Sequence, residues 1–318
     1  MEKIKLNLFH LKAKEDLLSV HQFFKESIKK WFDNDEPKED FFHIRSCPLC
    51  NSDRSELEYE IDNFSYHRCL ECESIYTKPH LKDGVLDELY SDGTYQVYQD
   101  SLVKKGSKIR KGVLELRKSS QIENIINSDE VSLLDVGCGS GTFMQVCKEK
   151  GWLVEGVDPS PEACSEYDIE VYQGNFNEIS FKKKYDVVTF WGVLEHLSEP
   201  ILAIRKAKDI LNPDGMIVFE VPSANCFMSE YLKKFNFSPT RYIESGRHNI
   251  FFSKKLIDQI AYELKMEVSL IESNGLDIQT ILLEEFDQIT TEKILNIQDT
   301  INDLLLGDHY RIFLTSQK

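Results

Sequence analysis

Residues 131–143 read V-S-L-L-D-V-G-C-G-S-G-T-F, and few folds accommodate such a stretch. An apolar run of β type, Val131–Leu134, ends in an acid, Asp135. Gly137, Gly139 and Gly141 follow at alternate positions, and a helix-compatible run, Thr142–Lys150, comes behind them. Glycine lets a backbone turn sharply and lets a ligand come close to it. A helix start adds unpaired N–H groups and a partial positive charge. Strand, tight turn and helix N-terminus together predict a nucleotide-type site in an α/β sheet.

The chain around this loop keeps the alternation of a doubly wound parallel sheet. Strands are expected near 131–136, 152–158, 169–172, 185–191, 215–221, 266–272 and 310–315. Helices are expected near 142–150, 161–167, 199–211, 254–265 and 282–306. Lys182–Lys184 reads as a solvated loop face. The chain has 318 residues, 41% apolar and 11% aromatic, enough for one large α/β domain with appendages.

Before the loop, C-P-L-C at 47–50 and C-L-E-C at 69–72 stand eighteen residues apart. Two such knuckles fit tetrahedral zinc held by Cys47, Cys50, Cys69 and Cys72, a closed and hence structural site. A redox pair and two buried thiol pairs are the rival readings. His67 is a weaker ligand candidate. Cys138, Cys147, Cys164 and Cys226 are scattered and read as small core residues. Residues 1–42 read as a helical arm for packing or dimerisation, broken by the acid-rich linker D-N-D-E-P-K-E-D at 33–40. Residues 43–80 form the cysteine module and 81–130 a helical linker or lid. Residues 131–318 form the α/β domain, with a helical insert at 276–309 before the last strand. A homodimer would use the arm or that insert. Tyr90, Tyr95 and Tyr98 admit two readings, docking the cysteine module or roofing a ligand cleft with Tyr95 and Tyr98.

The net charge of −16 disfavours a broad nucleic-acid footprint. No uncharged apolar run reaches the ~18 residues of a membrane helix. The opening M-E-K-I-K-L-N-L is too charged for a secretory signal, so a cytoplasmic protein is expected.

Later strand ends narrow the ligand. G-x-G-x-G lacks the third glycine of the dinucleotide fingerprint, with Thr142 in its place, which disfavours an NAD-dependent oxidoreductase. The second strand ends at Asp158, an acid able to accept both ribose hydroxyls. The third ends at Asn175 and Phe176, an amide and a ring suited to adenine. The fourth, Y-D-V-V-T-F-W-G-V-L-E-H-L, delivers Trp191, Glu195 and His196 to the same edge.

The ordered series L-L-D-V-G-C-G-S-G, G-V-D-P-S, G-N-F and Y-D-V-V-T-F-W-G-V-L-E-H-L resembles the class I S-adenosylmethionine-dependent methyltransferases over about 131–316. The resemblance implies a Rossmann-like seven-stranded sheet with an antiparallel last strand, preceded by a small zinc ribbon and helical N-terminal arm. It implies S-adenosylmethionine as donor and S-adenosylhomocysteine as product. The donor site would comprise Asp135, Gly137, Cys138, Gly139, Gly141, Phe143, Asp158, Pro159, Asn175, Phe176 and Trp191. Asn175 departs from the family's usual aspartate and keeps only the acceptor function. The N-terminal half, with C-P-L-C-N-S, Y-H-R-C-L-E-C-E-S-I-Y and L-Y-S-D-G-T-Y, resembles bacterial chains in which a zinc ribbon precedes a methyltransferase domain. Some of those act on nucleotide-linked sugars, surface polysaccharides or natural products, but the large further C-terminal domain of the sugar C-methyltransferases is absent from this sequence. The implied acceptor is a small polar molecule, a nucleotide sugar or a polysaccharide or natural-product precursor. An RNA acceptor and a non-catalytic zinc-ribbon interaction protein are the alternatives.

His196, assisted by Glu195, is the candidate general base, since histidine titrates near neutral pH. Its alternative is a packing histidine. The aromatic and locally basic stretch after the fifth strand offers Arg241, Arg247 and His248 to a phosphate or carboxylate of the acceptor. Its alternative is a surface helix whose arginines pair with neighbouring acids.

Overall fold

A computed structural model describes residues 22–82, 84–85, 110–126, 128, 130–160, 168–234, 242–278, 281 and 291–317. Tyr90, Tyr95, Tyr98, Cys164, Arg241, the helix expected at 161–167 and the first part of that expected at 282–306 lie outside these residues.

Helical residues 22–28 and a short 3-10 turn, Lys29–Trp31, lead into strands β1 (Phe32–Asp33) and β2 (Glu36–Pro37). The expected arm therefore stops being helical at Trp31. Asn34 and Asp35 take left-handed φ of 48° and 69°, the conformation of a tight hairpin turn. That reversal seats Phe32 against Phe42 and Phe64, at centroid separations of 5.4 and 5.2 Å.

Strands β3 (Phe42–His43), β4 (Ser55–Ile61), β5 (Phe64–Cys69), β6 (Ile75–Thr77) and β7 (His80–Leu81) build the cysteine module. Helix α1 (Leu116–Ile125) then precedes β8 (Ser132–Val136), α2 (Thr142–Glu149), β9 (Leu153–Asp158), β10 (Glu170–Gln173) and β11 (Tyr185–Trp191). There follow α3 (Pro200–Asp209), β12 (Leu211–Pro222), α4 (Phe227–Lys234) and the two-residue β13 (Ile250–Phe251). The chain closes with α5 (Lys254–Glu263), β14 (Met266–Ser273), α6 (Thr291–Asp303) and β15 (His309–Ser316).

The main sheet has seven strands in the order β10-β9-β8-β11-β12-β15-β14. Strands β8 to β12 pair in parallel, and β15 runs antiparallel to both its neighbours. The central strands are covered on both faces, which explains why they read as continuous apolar runs. Leu134, Val188, Ile217 and Ile312 pack in one buried cluster with Ala203 and Ile204 of α3 and Ile257 of α5. Their neighbours Leu133, Val187, Val218 and Phe313 face the other way, onto Ile122, Phe143 and Cys147.

The cysteine module is docked on this body. Strand β13 pairs antiparallel with β6, completing a four-stranded sheet β13-β6-β5-β4. Cys47, Cys69, Cys72 and Tyr76 belong to the same buried cluster as Leu134 and Ile217. Ser253 caps α5 by accepting from Leu256 N at 3.0 Å, and its hydroxyl donates to the Cys72 carbonyl. Arg68 donates to Ala224 O at 3.1 Å, and Arg45 to Ser198 O at 3.1 Å.

One polar cluster crosses the sheet. Arg311 of β15 stands in register with Glu220 on one side and Glu272 on the other. It donates to Glu220 at 2.7 and 3.0 Å, to Glu272 at 3.1 Å and to Gln121 of α1 at 2.7 Å. Burial by itself raises the Glu220 pKa, but the charges of Arg311, Lys118 and His309 and the Arg311 hydrogen bonds carry it down to about 2. A lowered carboxylate stabilises the fold above its unfolded value and ceases to do so as pH falls through its folded value. Glu220 thus contributes a loss of stability between its ordinary 4.5 and about 2. Arg311→Leu strands two acids at the sheet and is expected to lower stability by about 3–5 kcal/mol at pH 7. Denaturant titration at pH 7 and pH 3 checks both points, with the deficit smaller at pH 3.

Candidate functional site

The carboxyl ends of β8, β9, β10 and β11 meet along one edge, where ligands of open α/β sheets bind. The loop after β8 turns under a steric constraint at Gly137. Its φ is +70°, and a Cβ there would lie 2.4 Å from Cγ2 of Val193. Only glycine lets the loops after β8 and β11 pack this closely. Gly141, also left-handed at φ 71°, is the N-cap of α2.

Asp158 joins this loop to the end of β9. Its Oδ2 accepts from Gly139 N at 2.9 Å and its Oδ1 from Ser160 N at 2.8 Å. A carboxylate oxygen has two acceptor positions, so each retains capacity for a hydroxyl. Asp135 lies beneath the loop, 2% exposed, and accepts from Thr189 Oγ1 of β11 at 2.7 Å. Burial pushes its pKa up to about 7, with the Thr189 hydrogen bond acting the other way. Cys138 is buried on the loop, and Pro159 follows Asp158 and accepts from Gln173 Nε2 at 3.4 Å.

Asn175 accepts from Asn177 N at 2.9 Å through Oδ1 in a local turn. Phe176 faces the core rather than an open cleft. Its ring is buried against Phe190 and Phe181 at 5.6 and 5.7 Å, and Lys206 Nζ stands 5.1 Å from its centroid. Trp191 closes the opposite side, edge to face with Phe143 at 5.1 Å and under Lys118 Nζ at 4.4 Å.

Glu195 and His196 form a short 3-10 turn, Leu194–His196, beyond β11. His196 Nδ1 lies 2.7 Å from the Arg247 carbonyl, and its Nε2 is 3.8 Å from Glu195 Oε1. Burial pushes the His196 pKa well below its ordinary value, assisted by the charges of His248 and Arg247, so the ring is held neutral. Burial raises the Glu195 carboxyl to about 8, with Glu220 and Glu244 nearby adding to it.

His248 packs beside His196 at a ring separation of 5.2 Å, and Arg247 pairs with Glu244 while lying over the Phe24 ring. Arg247 and His248 are both buried. The structure thus gives Arg247 an acid partner, and brings His248 into a buried group with Glu195 and His196. Sequence reasoning missed Thr189, Val193 and Lys118. Thr189 had left a signal, as a polar residue within the buried run of β11.

In the cysteine module the four sulfurs converge, all within 4.8 Å of one another. Cys47 and Cys72 Sγ are 3.7 Å apart, Cys50 and Cys69 Sγ 3.5 Å. His67 is not part of this group. A cavity of about 300 Å³ opens elsewhere, at the carboxyl end of β14 between Arg117, Asn274, Gln298 and Asn302, and no donor-loop residue lines it.

The sheet order, the glycine turn and the acid at the end of β9 define a class I S-adenosylmethionine-dependent methyltransferase domain. The family model described as methyltransferase domain matches residues 104–264, half of the chain, which therefore belongs to that family. Among curated proteins it is similar to the ubiquinone biosynthesis O-methyltransferase of Nitrosospira multiformis, 28% identical over 105 residues, 29% of this chain and 44% of that protein. The protein of the same name from Neisseria meningitidis serogroup C is 26% identical over 123 residues, 32% of this chain and 52% of that one. The chain thus spans about half the length, or less, of these curated relatives. Among solved structures, magnesium protoporphyrin IX methyltransferase from Synechocystis PCC 6803 with bound SAH is similar at a TM-score of 0.52 and 12% identity, covering 74% of this chain and 100% of that one. The plantazolicin methyltransferase complexed with a monoazolic desmethylPZN analog and SAH gives 0.51 and 17%, covering 73% and 93%. At these identities they show a common fold. No helix among the described residues is long and apolar enough to cross a membrane.

Proposed function

We propose that this protein transfers a methyl group from S-adenosylmethionine to a small polar acceptor, a nucleotide sugar or a precursor of a surface polysaccharide or natural product. The observation that carries the reading is the convergence of the Gly137–Gly141 turn, Asp158, Asn175 and the Glu195–His196 pair on one edge of the sheet. The backbone from Gly137 to Gly141 and the start of α2 hold the methionyl part of the donor, Asp158 the ribose and Asn175 the adenine amino group. Phe176 supports Asn175 from within the core, and Trp191 with Phe143 walls the donor. The sulfonium donor is already activated, so the remaining work is positioning and exclusion of water. The polar group of Glu195, His196, Arg247 and His248 supports a polar acceptor, with the N-terminal likeness to ribbon-bearing methyltransferases behind the sugar class. His196 can take the acceptor's proton at Nε2, since its Nδ1 faces a carbonyl and so carries the ring proton.

Asp158→Ala is expected to weaken donor binding at least about tenfold, losing a charged acceptor for the ribose hydroxyls. Calorimetry with S-adenosylhomocysteine measures it, and unchanged affinity sinks the ribose assignment. His196→Gln is expected to lower turnover at least about tenfold while donor affinity survives. Labelled methyl transfer into a cell metabolite pool, read by mass spectrometry, identifies the acceptor needed for that measurement.

The cysteine group fits zinc. Tetrahedral Zn–S bonds of about 2.3 Å set sulfurs ~3.8 Å apart, close to the observed 3.7 and 3.5 Å. The hydrogen bond between Cys47 and Cys72 lowers the Cys72 thiol and raises that of Cys47, so one sulfur of this pair is favoured as the thiolate that zinc binds. Four sulfurs leave no open position, so zinc here would hold the ribbon and take no part in transfer. About one zinc per chain is expected by elemental analysis, with chelation at neutral pH exposing residues 43–80 to proteolysis. Well under one in intact protein rejects the ion.

A further inference from the structure

Glu195, His196 and His248 come together from two separate parts of the chain. One carboxylate oxygen and one ring nitrogen from each histidine lie within 4.8 Å of one another. The histidines are oriented from behind. His196 Nδ1 lies 2.7 Å from the Arg247 carbonyl and His248 Nδ1 2.9 Å from the Tyr242 carbonyl. A carbonyl only accepts, so in each neutral ring Nδ1 carries the hydrogen and Nε2 keeps its lone pair. Metal-binding histidines are prepared in this manner, with the second nitrogen donating to a carbonyl or carboxylate. The third member points to a missing partner. Glu195 is 2% exposed, and its Oε2 has no hydrogen-bond partner among the described residues. A buried carboxylate left so is costly unless it is protonated or meets a cation.

The charged surroundings fit a cation. Glu244 Oε2 lies 3.9 Å from His248 Nε2, and Glu220 is close enough to act on Glu195. Arg247 is paired with Glu244, and His309 beyond His248 with Asp308 at 2.7 Å. We propose that Glu195, His196 and His248 bind one divalent first-row transition ion, of the zinc, iron(II) or cobalt(II) class, through a carboxylate oxygen and the two Nε2 atoms. Two histidines and one carboxylate are a ligand set that leaves coordination positions open. Ion bonds of about 2.1 Å require ligand atoms roughly 3–3.5 Å apart, and His196 Nε2 stands 3.8 Å from Glu195 Oε1. Open positions on such an ion suit a hydroxyl or carbonyl oxygen of the acceptor. That last point rests on the methyltransferase reading; the binding of the ion does not. With the ion seated, the part of His196 in transfer changes from base to ligand: the ion orients and polarises the acceptor oxygen, and the turnover lost in His196→Gln then reports the lost ligand.

The test uses the full chain with one equivalent of zinc already in its cysteine group, titrated with cobalt(II). The expected result is one further equivalent bound, with visible d–d absorption and no new thiolate charge-transfer band. Glu195→Gln and His248→Ala should each weaken this uptake at least about tenfold and leave the zinc content unchanged. Glu195→Gln preserves shape, so it carries the test if His248→Ala fails to fold by circular dichroism. No uptake beyond the zinc equivalent, or equal uptake by the wild type and the folded variants, overturns the proposal. Calorimetry with S-adenosylhomocysteine on the same samples separates the two readings. Donor binding without cobalt uptake removes the ion alone, and cobalt uptake without donor binding removes the transferase reading alone.

Discussion

The absence of a side chain at Gly137 is the constraint on which the site depends. A methyl group there would overlap Val193. Val193 would have to shift, and it stands just before the turn that carries Glu195 and His196. Asp158 depends on the same turn, because its bond to Gly139 N requires the loop to fold back over β9. Asp135 and Thr189 brace it from below by a hydrogen bond between neighbouring strands. A buried acid is costly to keep, and here it spans the two strands whose ends form the site.

The main sheet could be read almost residue by residue, since strands covered on both faces announce themselves as apolar runs between glycine and proline breaks. The convergence of the four cysteines could be read because two close pairs, each within one short segment, are the spacing that brings four sulfurs together. What could not be read depends on partners distant in the chain. The hairpin at Asn34–Asp35 looked like an acidic linker, although both residue types tolerate left-handed φ. Phe176 looked like a stacking surface, but aromatic character does not tell a cleft from a core, and its ring packs on Phe181 and Phe190.

His196 and His248 show the same limit. They are 52 positions apart, and nothing local in either segment signals the other. Their meeting is decided by β13, which pins the 242–249 segment between the ribbon and the sheet. The methyltransferase body and the cysteine module therefore both determine the surroundings of Glu195. A change in the ribbon has a direct mechanical route to that group through Asn249, whose carbonyl accepts from Thr77 N at 3.0 Å.

The pairing of Ile250 with Tyr76 also has a consequence for how the chain is made. The ribbon is synthesised first, yet one strand of its sheet is encoded some 174 residues later. Until that strand arrives, β6 presents an unpaired edge, the kind of surface that recruits foreign strands. The N-terminal module must therefore wait on the ribosome for most of the domain to emerge, a long-range closure of the sort that slows folding. Fragments ending near residue 80 would carry the four cysteines but not the strand that pairs with β6, leaving that edge open to other strands.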